Sequence, residues 1–155
     1  MAEISRELIL DTNVALAWLL FDDPEMRPIH HALQAQRWHW SATPIMREEF
    51  MHVLGYPTLS QHFDATHNAE TLITAWDRWV RLLPHTPENP PHPRLRCTDP
   101  DDQCFIDLAI TRQATLITRD KALLALARRA HRDHHTQVMT PAAWPQTCAD
   151  ALAAS

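Results

Sequence analysis

The chain has 155 residues and a formal net charge of −5, and 45% of its residues are apolar and 21% charged. This balance predicts one folded domain and excludes a disordered chain, and no apolar stretch approaches the roughly 20 residues of a membrane span. The first residues lack the charged-then-apolar pattern of an export signal, so we expect a cytoplasmic protein with no membrane association.

The three cysteines, Cys97, Cys104 and Cys148, are an odd number and show no C-x-x-C spacing. This pattern predicts reduced thiols and gives no sign of a disulfide framework or a zinc cage.

The first predicted element is a buried strand over Leu8 to Leu10, which are all apolar. The strand ends at Asp11, and Thr12 and Asn13 are both residues that favour the start of a helix. An acid at such a strand-to-helix junction either caps the helix or belongs to a ligand site, and this stretch alone does not decide between the two.

Two helices and a strand follow in the first half. Pro24 to Gln36 is predicted to be helical, and the alternating, aromatic segment from Arg37 to Ser41 is predicted to be a strand. The next helix begins with Thr43 as N-cap and ends near Gly55. Glu49 lies on the border of its predicted inner face, which comprises Ile45, Met46, Phe50, Val53 and Leu54.

A helix over Asn68 to Leu83 is predicted from apolar residues at steps of three and four, and Trp76 and Trp79 in that stripe are expected in the core. The segment from Pro84 to Pro100 contains six prolines and is predicted to be an extended connector.

The second half predicts a regular alternation of helices and strands. Its elements are a helix over Asp101 to Arg112, a strand over Thr115 to Thr118, a helix over Lys121 to Arg132 that begins at Asp120, and a strand near Gln137 to Thr140. Strands alternating with helices predict an α/β fold with a central parallel sheet covered on both faces.

Four acids are predicted to meet at one edge of this sheet. Asp11 and Asp120 follow two of the strands, and Asp102 and Glu49 lie on helices that can present them to the same edge. Clustered carboxylates repel one another, and a hard divalent ion such as Mg²⁺ or Mn²⁺ removes that repulsion. Acids that hold one or two such ions are typical of phosphodiester hydrolysis.

Several other residues are candidates for supporting roles. Thr12, Asn13 and Thr118 could orient the carboxylates or a phosphate, and Asp99 either supports the site or shapes the turn at Pro100. The segment from Arg112 to Asp133 carries six basic residues against two acidic ones, which indicates either an RNA-binding surface or a solvated helix face. The RNA-binding candidates are Arg94, Arg96, Arg119, Lys121, Arg128 and Arg129.

Four motifs in this order resemble the PIN-domain family, and among its members the bacterial VapC-like toxins of toxin–antitoxin systems. They are LDTNV at the first strand, REEF beginning at Arg47, DPDDQCFIDLA beginning at Asp99, and LITRDKALL beginning at Leu116. The resemblance runs from about Leu8 to Pro141. It implies that residues 1–155 form one PIN-like domain, a three-layer sandwich with a central parallel sheet flanked by helices.

The resemblance also implies a function: a metal-dependent endoribonuclease with Mg²⁺ or Mn²⁺ as cofactor, in which a metal-activated water attacks the phosphate. The implied partners are an RNA substrate and a cognate antitoxin protein, and homodimers are frequent in the family. The family's four acids correspond to Asp11, Glu49, Asp102 and Asp120, although Glu48 competes with Glu49 for the second place. A non-catalytic PIN-like scaffold that binds RNA or a protein partner is the alternative.

Overall fold

The strand predicted at Leu8 to Leu10 is the centre of a parallel sheet. The computed structural model describes residues 6–145, and within them the sheet has five strands in the order β3-β2-β1-β4-β5. The strands are β1 Glu7–Leu10, β2 His39–Ala42, β3 Val80–Leu82, β4 Thr115–Ile117 and β5 Val138–Met139. Every pair of neighbouring strands is parallel, which confirms the predicted α/β fold with a central parallel sheet.

Helices flank this sheet and connect its strands. They are α1 Thr12–Leu19, α2 Arg27–Gln34, α3 Pro44–Leu54, α4 Pro57–Ser60, α5 Ala69–Trp79, α6 Gln103–Arg112, α7 Lys121–Leu124 and α8 Ala127–His134. Single turns of 3₁₀ helix over Pro24–Met26 and Pro100–Asp102 precede α2 and α6. No helix in the part of the chain that the structure describes is long and apolar enough to cross a membrane.

The strand order places a topological switch between β1 and β4. The chain adds β2 and then β3 on one side of β1, and afterwards β4 and β5 on the other side. Leu10 is aligned with Ile117, so the residues that follow these two strands, Asp11 and Thr118, emerge side by side. Ligands of open α/β sheets bind at such a switch point, beyond the carboxyl ends of the strands.

The core on one side of the sheet is aromatic. Trp76 of α5 is 3% exposed, and its ring packs against those of Trp40 and Phe50 at centroid distances of 5.8 and 6.2 Å. The predicted core position of Trp76 is therefore confirmed. Trp79 is only partly buried and packs against Trp18 at 5.2 Å.

Three element predictions are wrong in detail. The helix predicted to reach Leu83 ends at Trp79, because Val80 turns to an extended conformation and Val80–Leu82 pair with β2 as strand β3. The single helix predicted over Lys121 to Arg132 is two helices, α7 and α8. Ile45, predicted to face inward, is 50% exposed in the first turn of α3.

The N-cap prediction for Thr43 is correct for the backbone and wrong for the side chain. Thr43 is extended and occupies the N-cap position of α3, but its hydroxyl makes no capping hydrogen bond. This buried hydroxyl has no hydrogen-bond partner within residues 6–145.

Candidate active site

A cleft of about 400 Å³ opens beyond the carboxyl ends of β1 and β4. Thr12 and Asn13, from the first turn of α1, lie in its wall. Six carboxylates line the same cleft, namely Asp11, Glu49, Asp99, Asp101, Asp102 and Asp120. The four predicted site acids therefore lie together, as do three of the four residues predicted to support them.

Asp11 is held in place by both of its carboxylate oxygens. Its Oδ1 accepts a hydrogen bond of 2.8 Å from the Val14 backbone N–H and so caps α1, and its Oδ2 accepts from the Thr118 hydroxyl. Asp11 is 4% exposed, and this burial raises its pKa despite the two hydrogen bonds, which lower it. The Asp11 side chain therefore both caps α1 and lines the cleft.

Thr118 connects two of the acids. Its fully buried hydroxyl donates to Asp11 and accepts a 3.0 Å hydrogen bond from the Asp120 backbone N–H. Because Thr118 follows β4 directly, sheet pairing fixes the position of Asp11 relative to the backbone of Asp120.

Asp102 and Asp120 lie close together, with one carboxylate oxygen of each within 4.8 Å of the other. Burial, followed by a hydrogen bond with Asp120 and by the charges of Asp120, Asp99 and Asp11, raises the pKa of Asp102 to about 7. Asp102 therefore binds a proton more readily than an ordinary carboxyl group does. Asp120 Oδ2 is buried and accepts no hydrogen bond from a donor group within the described chain.

Glu49 is the acid that α3 supplies. Its pKa is raised by burial and then by the charges of Asp101, Asp99 and Asp11, which places its carboxylate in the same electrostatic environment as theirs. Glu48, the competing residue, is exposed and lines a neighbouring cleft but not this one. The geometry favours Glu49 for the second acid.

The loop before α6 supplies further groups, some of which the sequence analysis missed. Asp99 shapes the turn, because its carboxylate accepts a 3.0 Å hydrogen bond from the Asp101 N–H, and it also lines the cleft. Asp101 was not predicted, although its place between Pro100 and Asp102 in the acidic motif was a signal. Cys97 was predicted only as a reduced thiol, yet its sulfur and one carboxylate oxygen each of Asp102 and Asp120 all lie within 4.8 Å of one another.

The comparison with family models gives a match over residues 7–122 to the PIN domain. The chain belongs to the PIN-domain family. The PIN domain described here also resembles a chain in the crystal structure of the VapBC2 complex from Rickettsia felis. In that structure VapBC2 is bound to a DNA fragment from the VapBC2 promoter. The TM-score is 0.55 at 12% identity, and the match covers 85% of this chain and 96% of that chain. No curated protein matches the sequence.

The cations predicted to contact RNA fall into two groups on this PIN domain. Arg94 forms an ion pair of 2.9 Å with Asp107, and Arg119 pairs with Asp23 and Glu25 at 2.9 and 2.7 Å. The side chains of Arg96, Lys121, Arg128 and Arg129 are exposed. RNA binding by all six residues stays a prediction.

The cleft of this PIN domain suits a hard divalent cation. No Lys or Arg side chain is among the residues that line it, so the positive charge of Arg119, which lowers the pKa of Asp11, acts from outside the cleft wall. The raised pKa values of Asp11, Glu49 and Asp102 show that the negative charges are costly there. The buried Asp120 Oδ2 has no hydrogen-bond partner within residues 6–145, and oxygen atoms of this kind are the ligands that Mg²⁺ and Mn²⁺ prefer.

Proposed function

We propose that this PIN domain is a metal-dependent endoribonuclease and the toxin component of a toxin–antitoxin pair. The observation that carries the proposal is the cleft itself, in which six carboxylates converge on the switch point of a parallel sheet with no lining Lys or Arg. A merely structural role gives no reason to accumulate this repulsion.

Asp11, Glu49, Asp102 and Asp120 would hold one or two Mg²⁺ or Mn²⁺ ions. A bound ion would supply Lewis-acid chemistry, by neutralising charge on the phosphate and by lowering the pKa of water. The protein's own contribution is positioning: the Val14 N–H and the Thr118 hydroxyl fix Asp11, and Thr118 also fixes the backbone at Asp120. Asp102 releases its proton to solvent when it becomes a ligand.

The first turn of α1 is suited to the substrate phosphate. Thr12 and Asn13 line the cleft at the N-terminal end of this eight-residue helix, where backbone N–H groups favour an anion. The exposed side chains of Arg96, Lys121, Arg128 and Arg129 would attract RNA phosphates outside the acidic centre.

An antitoxin is the proposed protein partner. A cationic side chain from such a partner would be welcome among the carboxylates of the cleft and would exclude both the metal ion and RNA. The similarity to a chain of VapBC2 supports this proposal at the level of the fold. Co-purification of this chain with a co-expressed candidate antitoxin would support the proposal, whereas failure to co-purify would count against it.

The experiment that tests the proposal is thermal unfolding with EDTA and then with millimolar Mn²⁺. We expect Mn²⁺ to raise the melting temperature of the wild type but not that of Asp11→Asn/Asp120→Asn, because a ligand that binds only the folded state stabilises it. The matched control is Asp22→Asn/Glu88→Gln, which removes two exposed carboxylates away from the cleft and should respond to Mn²⁺ like the wild type.

Cleavage of RNA should follow the same pattern. Activity should require Mn²⁺ or Mg²⁺, disappear with EDTA, and be absent from the Asp11→Asn/Asp120→Asn variant, while the control variant cuts RNA normally. A wild type whose melting temperature ignores Mn²⁺, and which binds RNA without cutting it, would overturn the nuclease and favour the non-catalytic scaffold.

A further inference from the structure

Cys97 is not among the residues that line the carboxylate cleft, but its sulfur lies within 4.8 Å of a carboxylate oxygen of Asp102 and of Asp120. No part of the proposed function uses it. We propose that its sulfur is a further metal ligand beside Asp102 and Asp120, which raises the affinity of the site for thiophilic divalent ions such as Co²⁺, Zn²⁺ and Cd²⁺ relative to its affinity for Mg²⁺. The inference rests on the proposed metal site and adds a ligand that shifts its ion selectivity.

The three donor atoms are close enough to share one ion. The Cys97 sulfur and one oxygen each from Asp102 and Asp120 lie within 4.8 Å of one another. Bonds of about 2.3 Å to sulfur and about 2.1 Å to oxygen set these donors about 3.6 Å apart at a tetrahedral ion, so side-chain movements of up to about 1 Å close the site.

Burial sets Cys97 apart from an ordinary surface thiol. Cys97 is only 9% exposed, and the carboxylate oxygen Oδ2 of Asp120 is itself buried with no hydrogen-bond donor from the described residues. A buried, unpartnered carboxylate oxygen is costly, and an ion shared with a neighbouring sulfur would remove that cost.

A network of side chains fixes the backbone that carries Cys97. The Gln103 side chain accepts a 2.8 Å hydrogen bond from the Cys97 N–H and donates one of 2.8 Å to the Leu95 carbonyl. Gln103 also donates to Asp107 at 3.0 Å, and Asp107 is ion-paired with Arg94. The sulfur is therefore presented from a backbone that is already fastened to α6, which lowers the entropy cost of binding an ion.

The donor set explains the expected selectivity. Sulfur ligands favour softer ions, whereas sites made only of carboxylates and water suit Mg²⁺. When the sulfur–metal bond forms, the S–H bond breaks and its proton leaves to solvent, with no change of oxidation state.

The test is a titration of the metal-free 155-residue chain with Co²⁺, read by absorption and by melting temperature. Coordination by sulfur produces an intense near-ultraviolet band from charge transfer between thiolate and cobalt, which carboxylate ligands do not produce. We expect this band in the wild type and its loss in Cys97→Ser. The matched controls Cys104→Ser and Cys148→Ser should keep it, since Cys104 is not part of the three-atom cluster and Cys148 lies outside the described residues.

The two readouts separate the inference from the proposed function. If Co²⁺ raises the melting temperature but gives no sulfur band, or if the band survives in Cys97→Ser, the Cys97 ligand is wrong while the carboxylate site stands. If neither Co²⁺ nor Mn²⁺ changes the melting temperature or the spectrum, the metal site and the Cys97 ligand fail together. A higher ratio of Cd²⁺ to Mg²⁺ affinity in the wild type than in Cys97→Ser would support the selectivity.

Discussion

At the scale of single residues, Asp11 performs two tasks that the sequence presented as alternatives. One carboxylate oxygen caps α1 through Val14 and the other accepts the Thr118 hydroxyl, and the same side chain borders the cleft. An Asn at this position keeps an oxygen for the cap and loses the charge. Loss of the proposed metal binding and loss of folding are therefore separable at Asp11.

The raised pKa of Asp102 predicts how the stability of the metal-free protein depends on pH. Its pKa of about 7 lies above the ordinary value of 3.8, so the folded chain holds a proton that the unfolded chain releases. The contribution of Asp102 to the free energy of unfolding is complete at pH values below its ordinary pKa and is lost as the pH rises through about 7. In EDTA, we expect the melting temperature of the wild type to fall by a few degrees more than that of Asp102→Asn between about pH 5 and pH 8.

The Asp102→Asn variant controls for every other titratable group, because the two proteins differ only at this position. Parallel curves of melting temperature against pH for the two proteins would contradict the prediction. Mn²⁺ at a concentration that saturates the site from about pH 5 to pH 8 should flatten the wild-type curve over that range, because an Asp102 carboxylate bound to an ion carries no proton.

At the scale of elements, most of the helices and strands follow from local patterns, and the failures have local causes. β3 was missed because Val80 and Leu83 continue the apolar spacing of α5. In the sequence, the strand therefore looks like a continuation of the helix. Only pairing with β2, which is a long-range contact, reveals the strand. Where an acid follows a strand, as at Asp11 and Asp120, the position of the site could be predicted because parallel strands end at one edge.

The approach of Cys97 to the acids could not be predicted. Cys97 lies in the connector, where prolines give no periodicity, and its position depends on the Gln103 side chain of another element. The choice between Glu48 and Glu49 depended similarly on the rotation of α3, since adjacent residues of a helix point about 100° apart. Sequence patterns identified the acids, while tertiary contacts determined the rest of the cleft.

We expect the ion pair that joins α6 to β1 to contribute more stability than an ion pair at the surface. Arg112 of α6 donates hydrogen bonds of 2.6 and 2.7 Å to Glu7 of β1, which is 4% exposed, whereas the Arg47–Asp77 pair lies at the surface. We expect Arg112→Met to lower the free energy of unfolding by about 2–3 kcal/mol, below the full cost of breaking a buried pair because Arg112 is partly exposed. Arg47→Met should cost about 1 kcal/mol or less.

Urea unfolding of the two variants measures this difference in the free energy of unfolding. The comparison is matched because each variant loses one positive charge. The double variant Glu7→Gln/Arg112→Met should recover part of the loss, because it no longer buries a carboxylate that has lost the charge of Arg112. Equal midpoints for Arg112→Met and Arg47→Met would show that the Glu7 pair contributes no more than a surface pair.

At the scale of the whole molecule, charge is unevenly distributed. The net charge is −5, the cleft is lined by carboxylates, and α8 carries the exposed pair Arg128 and Arg129. Phosphate contacts made by such cations weaken as salt displaces them, whereas the metal-bridged contacts proposed for the cleft depend on the divalent ion.

The exposed arginines predict the salt dependence of RNA binding. We expect Arg128→Ala/Arg129→Ala to weaken binding and to reduce the slope of log K against log salt by about 1.4, which corresponds to two phosphate contacts on a single strand. Arg132→Ala is the matched control on the same helix, because the Arg132 guanidinium already pairs with Asp133 at 2.9 Å. An unchanged slope in the double variant would show that this face of α8 is only solvated.

The sheet order also has a consequence for biosynthesis. Asp11 is made early, but its partner Thr118 lies 107 positions later and reaches it only when β4 pairs with β1. A nascent chain that still lacks β4 has an acid at the end of β1 but no completed cleft. The cleft therefore cannot be complete on the ribosome until β4 has been synthesised and has paired with β1.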